Sequence, residues 1–229
     1  MSVAAVVFHE GWPFNHETVT FAFRTHVYAS HLAQGDFLPI WSSEDTWYHK
    51  LFYFASGLLY LATGSMKAAL VVAIVLFLLV GCAGLHAAAT RLGLRPRDAS
   101  LLAATLPLQT YTIFDWLVRG AMAELSAAMI APWLFRALLV LVQEGKVSIG
   151  LPVSLAAFAL AHSALACFGG IAVFAAWGIV AFGGDRRAFL AVTGRLAIAG
   201  LVVIAVLAPY LFAAWKLRRL YDVSILATG

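Results

Sequence analysis

Long apolar runs with few charged residues constrain this chain more than any other feature. Residues 67–90, 121–142 and 189–214 are each apolar over a length that can cross a bilayer, since a spanning helix needs about 20 residues. A membrane barrel shows alternating segments of about ten residues instead, and no such segment is visible in the sequence. We therefore predict an all-α, polytopic transmembrane helical bundle.

The composition supports a membrane protein and excludes a nucleic-acid-binding one. Of the 229 residues, 63% are hydrophobic and only 11% are charged, whereas roughly a quarter of the residues in a soluble domain are charged. The cationic residues are spread over the loops and form no basic stripe of the kind that nucleic acid requires. Both cysteines, Cys82 and Cys167, lie in apolar runs, and we interpret them as small core residues. The expected partners are membrane lipids.

The chain divides into three parts. Residues 1–46 are mixed in polarity, and Val19, Phe23, Val27 and Leu32 fall near one helical face. This pattern predicts an amphipathic helix over about 16–34 that lies at the membrane surface outside the cytoplasm, with Gly35 placed to end it. The transmembrane bundle follows over 47–214, and residues 215–229 form a C-terminal tail. The start of the chain lacks the basic region of a signal peptide.

Within the bundle we expect five or six membrane-crossing helices. Residues 47–63 are apolar but brief, which favours a re-entrant or steeply tilted helix. Further crossings are predicted at 99–117 and 121–142, with Arg119-Gly120 between them. Residues 148–182 are too long for one helix, and the chain could turn at His162 or at Gly169-Gly170.

The basic residues of the short turns predict the orientation of the bundle. Every second turn of the predicted bundle is basic, and these turns hold most of the loop cations. They are residues 91–98, 143–147 and 183–188. Cytoplasmic loops carry such an excess of Lys and Arg. This rule places these turns in the cytoplasm and the amino-terminal segment on the opposite side, although Lys216, Arg218 and Arg219 run against it.

Unusual polar residues are expected to collect on the outer side. Asp115 and Arg119 are four residues apart, which makes them neighbours on a helical face. Glu124 would lie elsewhere on one continuous helix, but a break at Gly120 would put it in the first turn of the next helix, where a carboxylate is favoured. With His162, these residues predict a shared polar site. The structural alternative is a neutralising Asp115–Arg119 pair, a helix-start acid and a core histidine.

Three stretches resemble a known family. They are "NHETVTFAFRTHVYASHLAQGDFLPIW", "YTIFDWLVRGAMAELSAAMIAPWLFRAL" with its Arg-Gly-Ala-x-Ala-Glu run, and "AAFALAHSALA". Together they resemble the bacterial membrane proteins described as 6-pyruvoyl-tetrahydropterin-synthase-related, which are similar to GT-C glycosyltransferases. The resemblance covers about residues 13–170. It implies a GT-C-like fold, a multi-pass protein of the bacterial inner membrane, and a polyprenyl-phosphate sugar as the donor.

The resemblance also implies residue roles. Glu17, with His16 beside it, would hold the place of the acidic residue that acts as the catalytic base in the first extracytoplasmic loop. These two residues could also bind a divalent metal. Arg119 would contact the lipid phosphate, assisted by Asp115, Glu124 and His162. The family is longer and has a helix before the first loop, so this chain is expected to be a fragment or a shortened, inactive relative.

Two function classes follow from these observations. The first is a glycosyltransferase-like enzyme, which needs a carboxylate to take the acceptor proton and cations to stabilise the departing phosphate. The second is a non-catalytic accessory subunit of a larger membrane complex, favoured by the many small residues in the spans, which permit close helix packing. A transporter ranks last, because no pair of Gly/Pro-broken helices recurs in two halves.

Overall fold

The computed structural model describes residues 18–35, 50–113, 121–183 and 186–217, and nearly all of them are helical. No β-strand occurs among these residues. The helices are α1 (Thr18–Ala33), α2 (Lys50–Thr63), α3 (Met66–Arg91), α4 (Pro96–Thr105), a 3₁₀ turn (Leu106–Leu108), α5 (Thr110–Ile113), α6 (Met122–Glu144), α7 (Gly150–Ala161), α8 (Ser163–Gly183) and α9 (Arg186–Leu217). The all-α class predicted from the sequence is confirmed.

Four of the described helices are long and apolar enough to cross a membrane. These stretches are Met66–Arg91, Met122–Glu144, Leu165–Gly183 and Phe189–Pro209, and two shorter apolar helices are Leu51–Thr63 and Gly150–Ala161. The chain is therefore a multi-pass membrane protein by helix length and composition. The described residues contain four of the five or six crossings expected from the sequence, and the two shorter helices span only about 18–20 Å at 1.5 Å per residue.

The ends of α3 follow from local sequence. Ser65 begins the helix, and its side-chain oxygen accepts the amide N–H of Ala68 at 3.3 Å, which satisfies one of the donors left over at a helix start. Gly93 ends it with a φ of +94°, a conformation that costs glycine little. The amides of Gly93 and Leu94 then bond to the carbonyls of Thr90 and Ala89 at 3.0 and 3.1 Å, as in a Schellman motif.

Helices α3 and α6 lie side by side and run in the same direction. Gly81 of α3 contacts Met129 of α6, and further along both helices Arg91 donates from Nε to Oε1 of Gln143 at 2.8 Å. Close to Gly81, the indole Nε1 of Trp133 in α6 donates to the carbonyl of Val80 in α3 at 2.8 Å. Parallel neighbours require a return segment, and α4 with the turn after it begins that return.

The return segment corrects one sequence prediction. A single crossing helix was expected over 99–117, but α4 ends at Thr105 and a 3₁₀ turn containing Pro107 follows. Proline lacks the amide donor that an α-helix needs, which explains the interruption. The segment nevertheless runs back along α3, since Ser100 bonds to His86 at 3.2 Å and Leu106 lies close to Gly81.

Residues 148–182 form a pair of helices that meet at His162. Its backbone is extended, with φ −155° and ψ 103°, so α7 ends and α8 begins there. The Gly169-Gly170 pair, the other predicted turn, lies inside α8. Gly169 instead allows close packing, because a Cβ there would lie 3.2 Å from side-chain atoms of Leu134, Leu155 and Phe158.

Helix α1 packs against α2 through a face that the sequence analysis did not identify. Phe21 stacks on Tyr53 with ring centroids 6.1 Å apart, and the buried hydroxyls of Thr25 and Ser56 are 2.9 Å apart. The face predicted to contact the membrane surface is a different one, and its Phe23 is 63% exposed. The predicted end of this helix at Gly35 is confirmed by a φ of +72°.

Candidate functional site

The structure describes some of the six residues predicted to form the site and not others. Glu124 and His162 are described, whereas His16, Glu17, Asp115 and Arg119 lie outside the described residues. The predicted helix break before Glu124 is confirmed, because Ala121 is not helical and α6 begins at Met122. The structure therefore describes two of the six predicted site residues.

Glu124 lies in the first turn of α6, as predicted. Its side chain is partly buried, while the neighbouring Met122, Ala123 and Leu125 are buried. The cap residue Ala121 supplies no side-chain hydrogen bond, so the helix start depends on other groups to balance its unpaired amides. A carboxylate in the first turn is stabilised by the positive end of the helix dipole, and this accounts for an acid in so apolar a surrounding.

His162 joins α7 to α8 through three hydrogen bonds. Its amide donates to the carbonyl of Phe158 at 2.9 Å, and its carbonyl accepts from Ala166 at 3.0 Å. Its ring nitrogen Nδ1 accepts the amide N–H of Leu165 at 3.3 Å. The imidazole thus acts as the cap of α8, in the manner usually performed by Ser, Thr, Asp or Asn.

This hydrogen bond assigns the state of the ring. A nitrogen that accepts an N–H carries no proton, so the neutral ring holds its proton on Nε2. The Nε2–H is then a donor, oriented by a helix start and located where α7 and α8 meet. Orientation of one ring nitrogen through a bond to the other is a common way of preparing a histidine for a functional role.

Glu124 and His162 are brought together although 38 positions separate them. His162 lies outside the four candidate spans. Burial lowers the pKa of its imidazole, and the negative charge of Glu124 opposes this by raising the pKa, with a net lowering from the ordinary value of 6.5. The charge of Glu124 therefore acts on His162 across the 38 positions that separate them, while the predicted site as a whole remains a prediction. The neutral ring predominates near pH 7, in agreement with its capping bond.

Sequence reasoning did not single out Arg24 and Tyr53. The guanidinium carbon of Arg24 in α1 lies 5.7 Å from the centre of the Tyr53 ring in α2, within the range of a cation–π contact. Tyr53 is almost fully buried, and α2 contacts both α6 and α7. The available signal was an arginine between two phenylalanine-bearing positions and the aromatic Tyr28 in a predicted helix.

The described residues hold no group of three or more His, Cys, Asp and Glu side chains that could bind a metal ion. The pair considered for a divalent metal, His16 and Glu17, lies outside the described part. The functional groups that the described residues supply to the site are therefore a carboxylate and an oriented neutral imidazole. Such a pair can accept a hydrogen bond, donate one, or bind a proton between them.

Comparisons with known proteins do not assign the chain to a family. No protein-family model matches the sequence, no curated protein matches it, and no solved structure matches its fold. The resemblance to 6-pyruvoyl-tetrahydropterin-synthase-related and GT-C proteins therefore remains a hypothesis from sequence.

Proposed function

We propose that this membrane protein binds the phosphate of a lipid-linked substrate where α6 begins and where α7 meets α8, as a GT-C-like glycosyltransferase would. The observation that carries the proposal is the electrostatic influence of Glu124 on His162. It links the glutamate of the Arg-Gly-Ala-x-Ala-Glu run to the histidine of the "AAFALAHSALA" stretch. These are two of the three stretches on which the resemblance depends.

The residue types suit a phosphate. Arg119 is two positions before Ala121 in the sequence, and a guanidinium binds phosphate oxygens through two parallel N–H bonds, which lysine cannot do. The Nε2–H of His162 supplies a neutral donor. Glu124 would orient the guanidinium or a substrate hydroxyl, and Asp115 would hold the arginine from one helical turn away.

The proposed reaction is a sugar transfer. The acceptor oxygen forms a bond to the anomeric carbon of the sugar, and its proton passes to the carboxylate of Glu17. The bond from the anomeric carbon to the phosphate oxygen breaks, and the lipid phosphate leaves with that electron pair. Arg119 stabilises the charge that develops on the leaving phosphate.

The test is the binding of a polyprenyl phosphate to the purified protein in lipid nanodiscs. We expect Arg119→Lys to weaken binding by about tenfold, since one lost charge-assisted hydrogen bond corresponds to roughly 1.5 kcal/mol or more. Arg136→Lys in α6 is the matched control, because it makes the identical change about 18 Å along the helix from Glu124, at 1.5 Å per residue. Binding should be unchanged in the control.

Two results would contradict the proposal. The first is equal binding by the wild type, Arg119→Lys and Arg136→Lys. The second is recovery of thermal stability when Asp115 and Arg119 are both replaced by apolar residues, without any change in lipid-phosphate binding. That pattern is expected of a purely structural ion pair.

A second candidate function is that of an accessory subunit. Only 11% of the apolar stretch in α8 and 17% of that in α9 is buried, against 39% in α3 and 50% in α6. The groove between α8 and α9, of about 430 Å³, is lined by apolar residues that include Phe174, Trp177 and Leu196. These faces contact lipid in an isolated enzyme and another protein chain in a complex.

Native mass spectrometry after mild extraction distinguishes the two candidates. A subunit should be recovered with other chains in a fixed ratio, and it should show no lipid-phosphate binding that depends on Arg119. An enzyme that acts alone should be recovered with lipid and should bind the polyprenyl phosphate.

A further inference from the structure

The joint between α7 and α8 depends on a side chain that can change its charge. We propose that His162 is a protonation-dependent hinge. In its neutral form the imidazole caps α8. In its protonated form it releases the cap and pairs with Glu124, so that the first turn of α8 opens. This inference does not rest on the lipid-phosphate function proposed above.

The first step of the argument is the capping bond itself. Nδ1 of His162 accepts the amide N–H of Leu165 at 3.3 Å. A protonated imidazole carries hydrogen on both nitrogens and cannot accept. Protonation therefore breaks this bond and leaves the Leu165 amide without the acceptor that holds the first turn.

The second step concerns the charges around the ring. An imidazolium at the start of α8 faces the positive end of that helix dipole, which repels it, whereas the carboxylate of Glu124 on α6 attracts it. The ring therefore gains by moving away from the helix start and towards Glu124. Of the described titratable groups on the helices that pack against the hinge, Glu124 is the one whose charge raises the pKa of His162. The others are Tyr53 and Tyr60 of α2, Arg136 and Glu144 of α6, and Arg195 of α9.

The third step limits the extent of the movement. Gly169 is enclosed by Leu134 of α6 and by Leu155 and Phe158 of α7, which holds α8 in place at that residue. Cys167 and Phe168, just before it, are exposed. The opening is therefore confined to residues 163–168, between the hinge and the first tightly packed position.

Hydrogen exchange of the full chain in nanodiscs tests the hinge. Amide protection, corrected for the intrinsic effect of pH, is measured between pH 8 and pH 5. In the wild type we expect protection at 164–167 to fall by about fivefold at the acid end, the factor that corresponds to losing a helix cap. Protection beyond residue 170 should stay constant.

Two variants make the result specific. His162→Asn keeps a side-chain oxygen that caps a helix well but does not titrate, so its protection at 164–167 should be the same at both ends of the pH range. Glu124→Gln removes the partner of the imidazolium, so the loss of protection should move to lower pH. Equal pH dependence in the wild type and His162→Asn, or an unchanged midpoint in Glu124→Gln, would overturn the proposal.

A measurement on the wild type alone covers the case in which a variant does not fold. Nitrogen NMR of ¹⁵N-histidine-labelled protein at pH 8 should show His162 with its proton on Nε2. The His162 signal is assigned by its loss in any folded His162 substitution, or by sequential connectivity. A proton on Nδ1 is incompatible with the capping bond and would rule out the hinge.

Discussion

His162 combines two properties that rarely occur in one side chain. It ends one helix and caps the next, and its ring can be protonated, with a pKa that burial lowers from the ordinary value of 6.5. Serine or asparagine would cap α8 equally well, so capping does not explain the choice of histidine. Histidine differs from these residues in that its ring titrates, and the neighbouring carboxylate of Glu124 favours the protonated ring.

The lowered pKa of His162 predicts how stability depends on pH. Since burial disfavours the charged ring in the folded state, the unfolded chain binds the proton more readily than the folded one. The stabilisation is complete above the ordinary pKa of 6.5 and is lost as the pH falls below it. Thermal unfolding in detergent should show a lower Tm at pH 5 than at pH 7.5, and His162→Asn should reduce this difference. A Tm that rises on acidification to the same extent in both proteins would contradict the assignment.

Among the elements, α3 and α6 form the central contact of the fold. Small residues of α3 allow it: a Cβ at Gly84 would lie 2.7 Å from Cδ1 of Trp133, while Gly81 is covered by Met129. The indole is held in place by its bond to the carbonyl of Val80 at 2.8 Å. Close approach through small residues is the usual basis of helix packing in membranes.

This contact predicts opposite outcomes for two glycine substitutions. Gly84→Ala forces a methyl group against a rigid ring and should destabilise the protein by about 1–3 kcal/mol, the usual cost of overpacking. Gly178→Ala in α8 meets no atom within 4 Å and should be neutral or stabilising by up to about 1 kcal/mol, because alanine favours a helix. Denaturant titration of both variants checks this, and equal effects would contradict the packing of α3 on α6.

The same elements show what the sequence could predict. The long apolar helices were predicted within a few residues, since 67–90 became Met66–Arg91 and 121–142 became Met122–Glu144. Length and hydrophobicity determine such segments by themselves. The interruption at Pro107 was missed although its cause is local, since proline lacks the amide donor of a helix. The choice of His162 over Gly169-Gly170 was not predictable in this way, because Gly169 is packed against α6 and α7.

The candidate site was predictable only as far as its residue types. A helix break before Glu124 followed from Gly120, and a turn near His162 followed from segment length. The Nδ1 acceptor and the contact of Arg24 with Tyr53 depend on side-chain orientation, which no spacing in the sequence reveals. The packing face of α1 was missed for the same reason, because the residues that contact it belong to α2, which lies further along the chain.

The molecule as a whole has two ends that the membrane should separate. Gly64 and Ser65 link α2 to the start of α3, and α1 runs alongside α2, with His26 against Tyr60 at 6.0 Å. The turn that holds Arg97 follows the opposite end of α3, about 39 Å away for its 26 residues at 1.5 Å each. The exposed Gln34 and Arg97 are thus suitable reporters of the two sides.

Thiol labelling tests this topology. In a background without Cys82 and Cys167, Gln34→Cys should react with an impermeant reagent from outside, and Arg97→Cys should react only from the cytoplasmic side. The positive-inside bias sets this expected direction. Reaction of both positions from one side of sealed vesicles would contradict a crossing by α3.

Photo-crosslinking of a bound lipid phosphate tests the central claim most directly. A polyprenyl phosphate with a photoreactive group next to the phosphate would be bound to the full chain in nanodiscs, irradiated and mapped by peptide mass spectrometry. The account predicts crosslinks in the first turn of α6 around Glu124 and in the joint around His162, which unlabelled polyprenyl phosphate competes away and Arg119→Lys reduces. Crosslinks confined to the exposed faces of α8 and α9, without competition, would show a lipid that merely surrounds the protein and would contradict the claim.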